Sequence, residues 1–318
     1  MSTVSESGSG SAGVRALFPG QGSQVPGMGR AFAQACPEAA AVFDEASDAL
    51  GLDMRTLCWE SEPRELAATQ NAQPALITAS VAAWRVLEAR GVRATLAAGH
   101  SVGAVAALVA AGRVPFAEAV KLVRLRGELM ASAPGRGGMC AVLANGPERL
   151  EALATVERYG LDVAADNSPR QFVAAGDLDA VHAFAAELGA RARLLDVSHA
   201  FHSRLMSPVA ERWEAAVRDL ELAAGEIPVG LVTTGAFSTD PAELAKDLAA
   251  ALCAPVRWQD LMTEAAAPAF DPAWYAALGP AQALVGLAKQ HPSKPRVALL
   301  DTPVAVDAFA RRLEVENR

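Results

Sequence analysis

The amino-acid sequence predicts an α/β protein in which a small lobe is inserted into a larger domain. Short apolar segments that end in glycine-rich turns and precede helical segments are typical of α/β domains. Residues 135–197 differ, because their pattern is strand, helix, strand, strand, helix, strand, the order of a ferredoxin-like lobe. We therefore predict a large α/β domain over residues 14–134 and 198–318 and a small lobe over residues 135–197.

The elements before the lobe open with an apolar strand at 14–18, which stops at the turn Pro19-Gly-Gln-Gly22. An alanine-rich helix is expected at 28–50. A further helix is expected at 75–88, directly after Pro74, because the fixed φ of proline suits the first turn of a helix. These segments predict the first strand of a sheet and the helices that cover it.

The lobe and the segments behind it follow from the same patterns. In the lobe we expect strands at 139–144, 161–165, 171–175 and 191–197 and helices at 147–159 and 178–188. The glycine-rich stretch at 134–138 suits a hinge at its entry. Behind the lobe we expect a helix at 204–222, a strand at 229–233, a helix at 241–252 and a final strand and helix.

Composition excludes several classes of protein. Of the 318 residues, 52% are hydrophobic and only 20% are charged, so the chain can bury a substantial core and the bulk of it is not disordered. The formal net charge of −8 disfavours a dedicated nucleic-acid-binding protein. The four cysteines show no Cys-x-x-Cys spacing, which leaves zinc and redox motifs unsupported.

The ends and apolar runs of the chain suggest where it resides. Residues 1–13 are rich in serine and glycine and lack the apolar core of a signal peptide, so we expect a flexible leader there. The longest apolar run, 102–112, is too short to span a bilayer. We therefore predict a cytoplasmic protein without membrane contact.

One motif carries nucleophilic chemistry. Gly99-His-Ser-Val-Gly103 fits the pattern Gly-x-Ser-x-Gly, with a strand predicted before it at 94–98 and a helix of small apolar residues after it at 104–111. A sharp strand-to-helix turn needs small neighbours, and it would expose the Ser101 hydroxyl. The N–H of Val102 and the helix dipole would then face an oxyanion formed at Ser101.

A serine nucleophile needs a base, and the chain has five histidines. His100 should point away from Ser101, His182 belongs to a lobe helix, and His291 lies in a polar turn. The remaining pair, His199 and His202, could bind a metal only with further ligands, and none is evident.

The residue that would orient the base is left open by the sequence. Four aspartates follow the serine in the order expected of a hydrolase triad. All of them fall in or at the edge of the lobe, which makes them poor candidates: Asp162, Asp166, Asp177 and Asp196. A Ser-His pair oriented by a backbone carbonyl is the alternative. In the helical segment 124–130 an arginine either forms a surface pair with Glu128 or binds a substrate carboxylate inside an acyl pocket.

Together these motifs resemble malonyl-CoA:acyl carrier protein transacylases and the acyltransferase domains of polyketide synthases. The matching segments run along nearly the whole chain: Phe18-Pro-Gly-Gln-Gly-Ser-Gln24, Gln73-Pro-Ala-Leu, Gly99-His-Ser-Val-Gly103, Arg126-Gly-x-x-Met130, Asn167-Ser-Pro-x-Gln171, His199-Ala-Phe-His-Ser203, Pro255-Val-Arg-Trp258 and Leu278-Gly-Pro280. The resemblance implies an α/β-hydrolase-like large domain with a ferredoxin-like lobe.

The resemblance also implies roles for individual residues. Ser101 would accept the acyl group and His202 would act as its base, with the carbonyl of Arg257 orienting the imidazole. The remaining implied roles are an oxyanion hole from the N–H groups of Gln21 and Val102, a carboxylate grip from Arg126, and pocket positions at Gln73, His100, Asn167 and Phe201. Val102 and bulky Phe201 go with malonyl rather than methylmalonyl groups in such enzymes, although a methyl-sized discrimination is worth only roughly 1–3 kcal/mol.

The implied reaction moves a malonyl group from CoA to the phosphopantetheine thiol of an acyl carrier protein, with no metal or other cofactor. The chain would act in trans, as a protein separate from the synthase. The His-Ala-Phe-His segment is more usual in polyketide enzymes, so it favours polyketide over fatty-acid biosynthesis. The acidic carrier would need a local basic patch, for which the candidates are Arg170, Arg204, Lys289 and Arg296.

Two departures from the family pattern leave the acyl group open. Ala104 stands where glutamate is usual and Ala131 where glutamine is frequent. Either the neighbours repack, or the pocket is wider and accepts an unusual acyl group. Three rival functions follow: a transferase for an atypical acyl group or between carriers, an editing thioesterase that clears carriers, and a non-catalytic carrier-binding protein.

Overall fold

The structure is a computed structural model that describes residues 13–267 and 274–316. The predicted leader lies outside the described residues except for Gly13, which is the first residue of a strand. The described strands are β1 Gly13–Phe18, β2 Arg93–Gly99, β3 Gly137–Leu143, β4 Asp162–Ser168, β5 Gln171–Asp177, β6 Ala192–Leu194, β7 Val229–Gly230, β8 Phe237–Ser238, β9 Trp274–Leu278 and β10 Arg296–Leu300.

The described helices are α1 Arg30–Ala35, α2 Pro37–Leu50, α3 Met54–Trp59, α4 Pro63–Ala67, α5 Thr69–Ala89, α6 Gly103–Ala110, α7 Phe116–Ala131, α8 Gly146–Arg158, α9 Leu178–Leu188, α10 Ser207–Arg218, α11 Pro241–Ala250, α12 Trp258–Ala265, α13 Gln282–Gln290 and α14 Pro303–Glu316. No helix within these ranges combines the length and the apolar character needed to cross a membrane.

A six-stranded sheet forms the centre of the large domain, in the order β10-β9-β1-β2-β7-β8. All neighbours are parallel except β7 and β8. Phe18 at the end of β1 pairs with Gly99 at the end of β2, so the turns that follow the two strands lie side by side. Turns at the carboxyl edge of a parallel sheet are where α/β proteins place their binding sites.

A four-stranded antiparallel sheet forms the small lobe, in the order β4-β5-β3-β6. Its two faces pack against different cores. Cys140 and Phe172 belong to the lobe's own core with the α9 residue Phe184, whereas Met139 and Val173 belong to the core of the large domain. The predicted βαββαβ order and the fold class are therefore confirmed, and the boundaries at 135 and 197 stay predictions.

Several predicted elements differ in their bounds, and two of them lie before the lobe. The helix expected at 28–50 is two helices, because Cys36 before Pro37 is extended with a φ of −131°. The helix expected at 75–88 begins earlier, at Thr69, and Pro74 lies inside it. The carbonyl of Gln70, which has no N–H partner at Pro74, accepts a hydrogen bond from Arg124 Nη1 at 3.1 Å.

Further differences follow later in the chain. The strand expected at 191–197 is β6, which covers only Ala192–Leu194. The helix expected at 204–222 is a short 3₁₀ turn followed by α10, which ends at Arg218. The strand expected at 229–233 ends at Gly230. The N–H groups of Val232 and Thr233 instead donate to the buried carboxylate of Asp247 at 2.8 and 2.9 Å, which takes them out of the sheet.

Candidate active site

The predicted nucleophile lies in a strained turn between β2 and α6. Ser101 has a φ of 52°, a region that residues other than glycine rarely adopt. A Cβ on Gly99 would lie 1.9 Å from the Gly103 carbonyl carbon, and one on Gly103 would lie 2.3 Å from Phe18 O. Both glycines are therefore required for the turn to close, as the sequence predicted.

His202 reaches this serine from the segment behind the lobe. The Ser101 hydroxyl donates to His202 Nε2 over 2.7 Å. His202 Nδ1 donates to the carbonyl of Ala251 at 2.7 Å and faces that of Ala254 at 3.2 Å. With the proton on Nδ1, the Nε2 lone pair faces the hydroxyl, which is the arrangement a general base needs.

The expectation that the Arg257 carbonyl orients His202 is wrong. That carbonyl accepts the N–H of Leu261 at 3.1 Å in the first turn of α12, so it is occupied within the helix.

Ala251 and Ala254 follow the end of α11, where helix carbonyls have no intrahelical donor. The negative end of α11 therefore takes the place of a carboxylate. Neither Asp162 nor Asp166 contacts His202, since Asp162 pairs with Arg204 and Asp166 pairs with Arg149.

Arg126 is the only one of the α7 arginines that enters the site. It is 2% exposed, donates from Nη1 to Gln73 Oε1 at 3.0 Å and from Nη2 to Ser101 Oγ at 3.4 Å, and lies 5.9 Å from the Trp213 ring. Arg124 forms the surface pair with Glu128 instead. The close approach of α7 to α5 brings Arg126 to Gln73.

The guanidinium of Arg126 has no carboxylate partner within the described ranges. Burial lowers its pKa to about 10, so it stays charged at neutral pH. A buried cation without a counter-ion is costly, and an anionic ligand relieves that cost. The arrangement is therefore suited to a substrate that carries a negative group close to the reacting atom.

The turn after β1 lies against the elbow, which is the strained turn at residues 99–103 that carries Ser101. His100 N donates to Phe18 O at 2.9 Å, and a Cβ on Gly20 would lie 2.6 Å from His100 O. In the described part of the chain, the N–H groups of Gln21 and Val102 donate to no protein acceptor. Two unpaired amides beside a serine hydroxyl have the character of an oxyanion hole.

His100 is directed toward the small lobe. Its Nε2 donates to Asn167 Oδ1 at 2.8 Å, and its ring lies 5.6 Å from that of Trp258. Asn167 Nδ2 donates to Gln171 Oε1 at 3.0 Å, which leaves the Asn167 oxygen as the acceptor for His100. The lobe thus contributes a side chain that contacts the residue next to the nucleophile.

The two histidines nearest the serine have depressed basicity. Burial, together with the charge of Arg126 and the proximity of His100, lowers the pKa of His202 to about 3. Burial also lowers the pKa of His100, and the Asn167 hydrogen bond partly opposes this. Both imidazoles are therefore neutral at neutral pH.

The remaining predicted positions, Phe201 and His199, are both buried. Phe201 is 4% exposed and buried beside His202 in the chain. His199 turns away, because its Nε2 donates to Pro134 O at 3.1 Å and its Nδ1 accepts the Ala200 N–H at 2.8 Å. Within the described ranges no three histidine, cysteine, aspartate or glutamate side chains form a group that could hold a metal ion.

The two departures from the family pattern lie in different surroundings. Ala104 is buried in the first turn of α6, near the elbow, whereas Ala131 is exposed at the end of α7. Only Ala104 can affect the interior around Ser101.

Sequence reasoning missed the carbonyls of Ala251 and Ala254 and the side chain of Trp213. Backbone carbonyls carry no residue-type signal, so no motif could have revealed them. Trp258 ends the motif Pro255-Val-Arg-Trp258, from which no role was predicted for it. Its ring packs beside that of His100, so it helps to form the surroundings of that imidazole.

Comparison with known proteins agrees with this geometry. Residues 17–274 match the acyl transferase domain family. The chain is 34% identical over 310 residues to the malonyl CoA-acyl carrier protein transacylase of Bacillus subtilis (strain 168), covering 95% of this chain and 97% of the relative. An acyl carrier protein S-malonyltransferase from Vibrio cholerae superposes with a TM-score of 0.86 at 34% identity, covering 94% of this chain and 100% of the other.

A second solved structure extends the likeness to a complex. It contains a type II polyketide synthase acyl-carrier protein with its malonyl-transacylase, and the match has a TM-score of 0.87 at 31% identity over 94% of this chain and 99% of that chain. The resemblance drawn from the motifs is confirmed: this chain belongs to the acyl transferase domain family.

Proposed function

We propose that the chain transfers a malonyl group from CoA to the phosphopantetheine thiol of an acyl carrier protein through an ester on Ser101. One observation carries the proposal: Ser101 Oγ lies 2.7 Å from His202 Nε2 and 3.4 Å from Arg126 Nη2, a buried guanidinium without an acidic partner. A nucleophile, its base and an anion-binding group thus share one site.

Acylation begins when His202 accepts the hydroxyl proton as Ser101 Oγ attacks the thioester carbonyl carbon. The carbonyl oxygen becomes an oxyanion that accepts hydrogen bonds from the N–H groups of Gln21 and Val102. The tetrahedral intermediate then collapses, the C–S bond breaks, and the CoA thiolate takes the proton from His202 Nε2. The carbonyls of Ala251 and Ala254 stabilise the transient imidazolium through Nδ1.

Arg126 selects the acyl group by charge. A malonyl carboxylate can accept two hydrogen bonds from a guanidinium, a geometry that lysine cannot supply. Gln73 holds one edge of the guanidinium, so the other edge faces Ser101 and the incoming acyl group. To Phe201, which is 4% exposed and precedes His202, we assign the exclusion of a branch on the acyl chain.

Deacylation repeats these steps in reverse with a different thiol. His202 accepts the proton of the phosphopantetheine thiol, the thiolate attacks the ester carbonyl, and Ser101 Oγ leaves with the proton from His202. No step uses a metal or a redox cofactor, and the chain acts where CoA thioesters and carriers occur, in the cytoplasm. One similar structure is a malonyl-transacylase in complex with a type II polyketide synthase acyl-carrier protein, and the same chemistry serves fatty-acid synthesis as well.

The test is a single-turnover experiment with malonyl-CoA and a holo acyl carrier protein, followed by intact-mass measurement of the carrier and quantification of free malonate. Transfer predicts malonyl-carrier in near-equal amount to the CoA released. Release of free malonate without malonyl-carrier would show an editing hydrolase instead. Carrier binding without CoA release would show a non-catalytic protein, and either result would overturn the proposal.

A further inference from the structure

Asn167 owes its direction to an irregularity in the lobe sheet. Asp166 pairs with Phe172 and Ser168 pairs with Gln171, so Asn167 is the extra residue of a bulge between β4 and β5. A bulge re-aims the side chain it carries. Here it places Asn167, which is 8% exposed, against His100 of the large domain.

Arg149, on α8, contacts the chain on both sides of this bulge. Its Nη2 donates to Asp166 Oδ1 at 2.7 Å and its Nη1 donates to Ser168 O at 3.3 Å. Its guanidinium lies 5.3 Å from the Phe172 ring, the partner of Asp166 across the ladder. The side chain is only 15% exposed, so these contacts are little screened by water.

The large domain holds the same two residues from the opposite side. Asp166 N donates to Val256 O at 2.8 Å, and Ser168 Oγ donates to Gln290 Oε1 at 2.8 Å. The Asp166 carboxylate also faces the charges of Arg257 and Asp260, which pair with each other. The bulge is thus fixed between α8 and the large domain.

From this clamp we propose that Arg149 is a positioning residue that holds Asn167 in hydrogen-bonding register with His100. His100 keeps its proton on Nε2 because Asn167 Oδ1 accepts it, and the backbone of His100 lies against Gly20 beside the Gln21 amide. Through Asn167 and His100, Arg149 therefore links the position of the lobe to the position of the elbow and of the turn that carries the oxyanion donors. Its kinetic consequence rests on the proposed function, whereas its effect on His100 does not.

The test compares R149M, N167A and the double variant by two measurements. The first is the Nε2 proton of His100 in NMR spectra of protein labelled with ¹⁵N-histidine, which reports the Asn167 hydrogen bond directly. The second is kcat/KM for acylation by malonyl-CoA. We expect R149M to lose the His100 signal and to lower kcat/KM about tenfold, since misplacement around a site costs rate without removing a reacting group.

The decisive comparison is the double variant. If Arg149 acts through Asn167, R149M adds nothing to the loss already caused by N167A. R158M is the matched control, because Arg158 lies on the same helix but does not contact the bulge; it forms an ion pair with Glu187 at 2.6 Å. R158M should leave both the His100 signal and kcat/KM unchanged. R149K keeps the charge but not the forked geometry, so it should restore part of the His100 signal.

Several results would overturn the inference. One is an intact His100 signal in R149M; another is a double variant whose losses multiply; a third is an equal effect of R158M. If R149M does not fold, R149K with N167A makes the same comparison. If no variant or wild-type protein is acylated, the proposed function fails while the His100 signal still decides the role of Arg149.

Discussion

At the scale of single residues, both partners of the proposed proton transfer have left-handed backbone conformations. Ser101 has a φ of 52° and His202 a φ of 57°. Each such conformation in a residue other than glycine costs of order 1–3 kcal/mol and persists only where its surroundings enforce it. The strain directs Oγ and Nε2 at each other across two separate segments of the chain.

The depressed basicity of His202 predicts an unusual pH dependence. With a pKa of about 3 against an ordinary value of 6.5, His202 in the free enzyme stays neutral, and so active as a base, well below pH 6.5. A bound malonyl carboxylate offsets the Arg126 charge and raises the pKa of His202 in the complex. We expect the acid limb of kcat/KM for acylation to lie well below pH 6.5, and that of kcat to lie at higher pH than that of kcat/KM. A tenfold fall in kcat/KM per pH unit directly below 6.5 would contradict this.

The role of Arg126 predicts a difference between acyl groups. Arg126→Met should lower kcat/KM for malonyl-CoA by roughly a hundredfold or more, because the substrate carboxylate would be buried without a partner. Acetyl-CoA has no carboxylate, so its kcat/KM should change less than tenfold. Lys121→Met is the control, since Lys121 lies on the same helix and pairs with Glu118 at the surface. Equal losses for both thioesters would contradict the role of Arg126.

At the scale of elements, the turns carry more of the function than the helices and strands they join. The elbow, the turn after β1 and the turn after α11 supply the proposed nucleophile, the unpaired amides and the carbonyls that bind His202 Nδ1. The first two turns were predictable, because glycines and prolines specify them at the level of residue type. The third turn was not predictable, since any residue types at positions 251 and 254 present the same backbone oxygens.

Element bounds failed where tertiary contacts replace regular hydrogen bonds. Pro74 predicts a helix start, yet the helix continues through it because Arg124 donates to the Gln70 carbonyl that proline leaves without a donor. Asp247 likewise takes the amides that would have extended β7. Both partners are distant in sequence, which is why local pattern could not reveal them.

Two glycine-to-alanine substitutions, one in the elbow and one on α13, should have opposite effects on the free energy of unfolding. Gly103→Ala would place a Cβ 2.3 Å from Phe18 O, so it should lower the free energy of unfolding by about 1–3 kcal/mol, as overpacking does, and also reduce activity. Gly286→Ala on α13 meets nothing within 4 Å and should raise the free energy of unfolding by about 0.5–1 kcal/mol. Denaturant titration measures both. A neutral Gly103→Ala variant would contradict the described packing of the elbow on β1.

At the scale of the whole molecule, two cores meet at a site to which both contribute. The large domain supplies Ser101, His202 and Arg126, and the lobe supplies Asn167 through its bulge. The lobe was predictable as a unit from its strand and helix order. Its contact with His100 was not predictable, because the bulge depends on how β4 and β5 pair and on the hydrogen bonds that Arg149 and Val256 form with β4.

The distribution of charge predicts where an acidic carrier affects the rate. Arg170 and Lys289 are exposed, and Arg170 lines a cavity of about 310 Å³ together with Gln290. Arg204 and Arg296, by contrast, pair with Asp162 and Glu316, which makes them weaker candidates for the basic patch.

Charge reversal at Arg170 and Lys289 should therefore lower kcat/KM for the carrier several-fold at low salt, because opposite charges steer the encounter. Acylation by malonyl-CoA should not change. Arg64→Glu on α4 makes the same change of charge as either single reversal and should affect neither half-reaction. If the reversed variant matches wild type with the carrier, these two residues are not part of its docking surface.

Peptide mapping of the enzyme, quenched after mixing with malonyl-CoA, shows whether Ser101 becomes esterified as the proposed function requires. We expect one malonyl group per chain, located on the peptide that contains Ser101 and missing from Ser101→Ala. Adduct formation should be much slower in His202→Ala, by roughly a hundredfold or more. A malonyl group on any other residue, or one that persists in Ser101→Ala, would disprove the ester at Ser101.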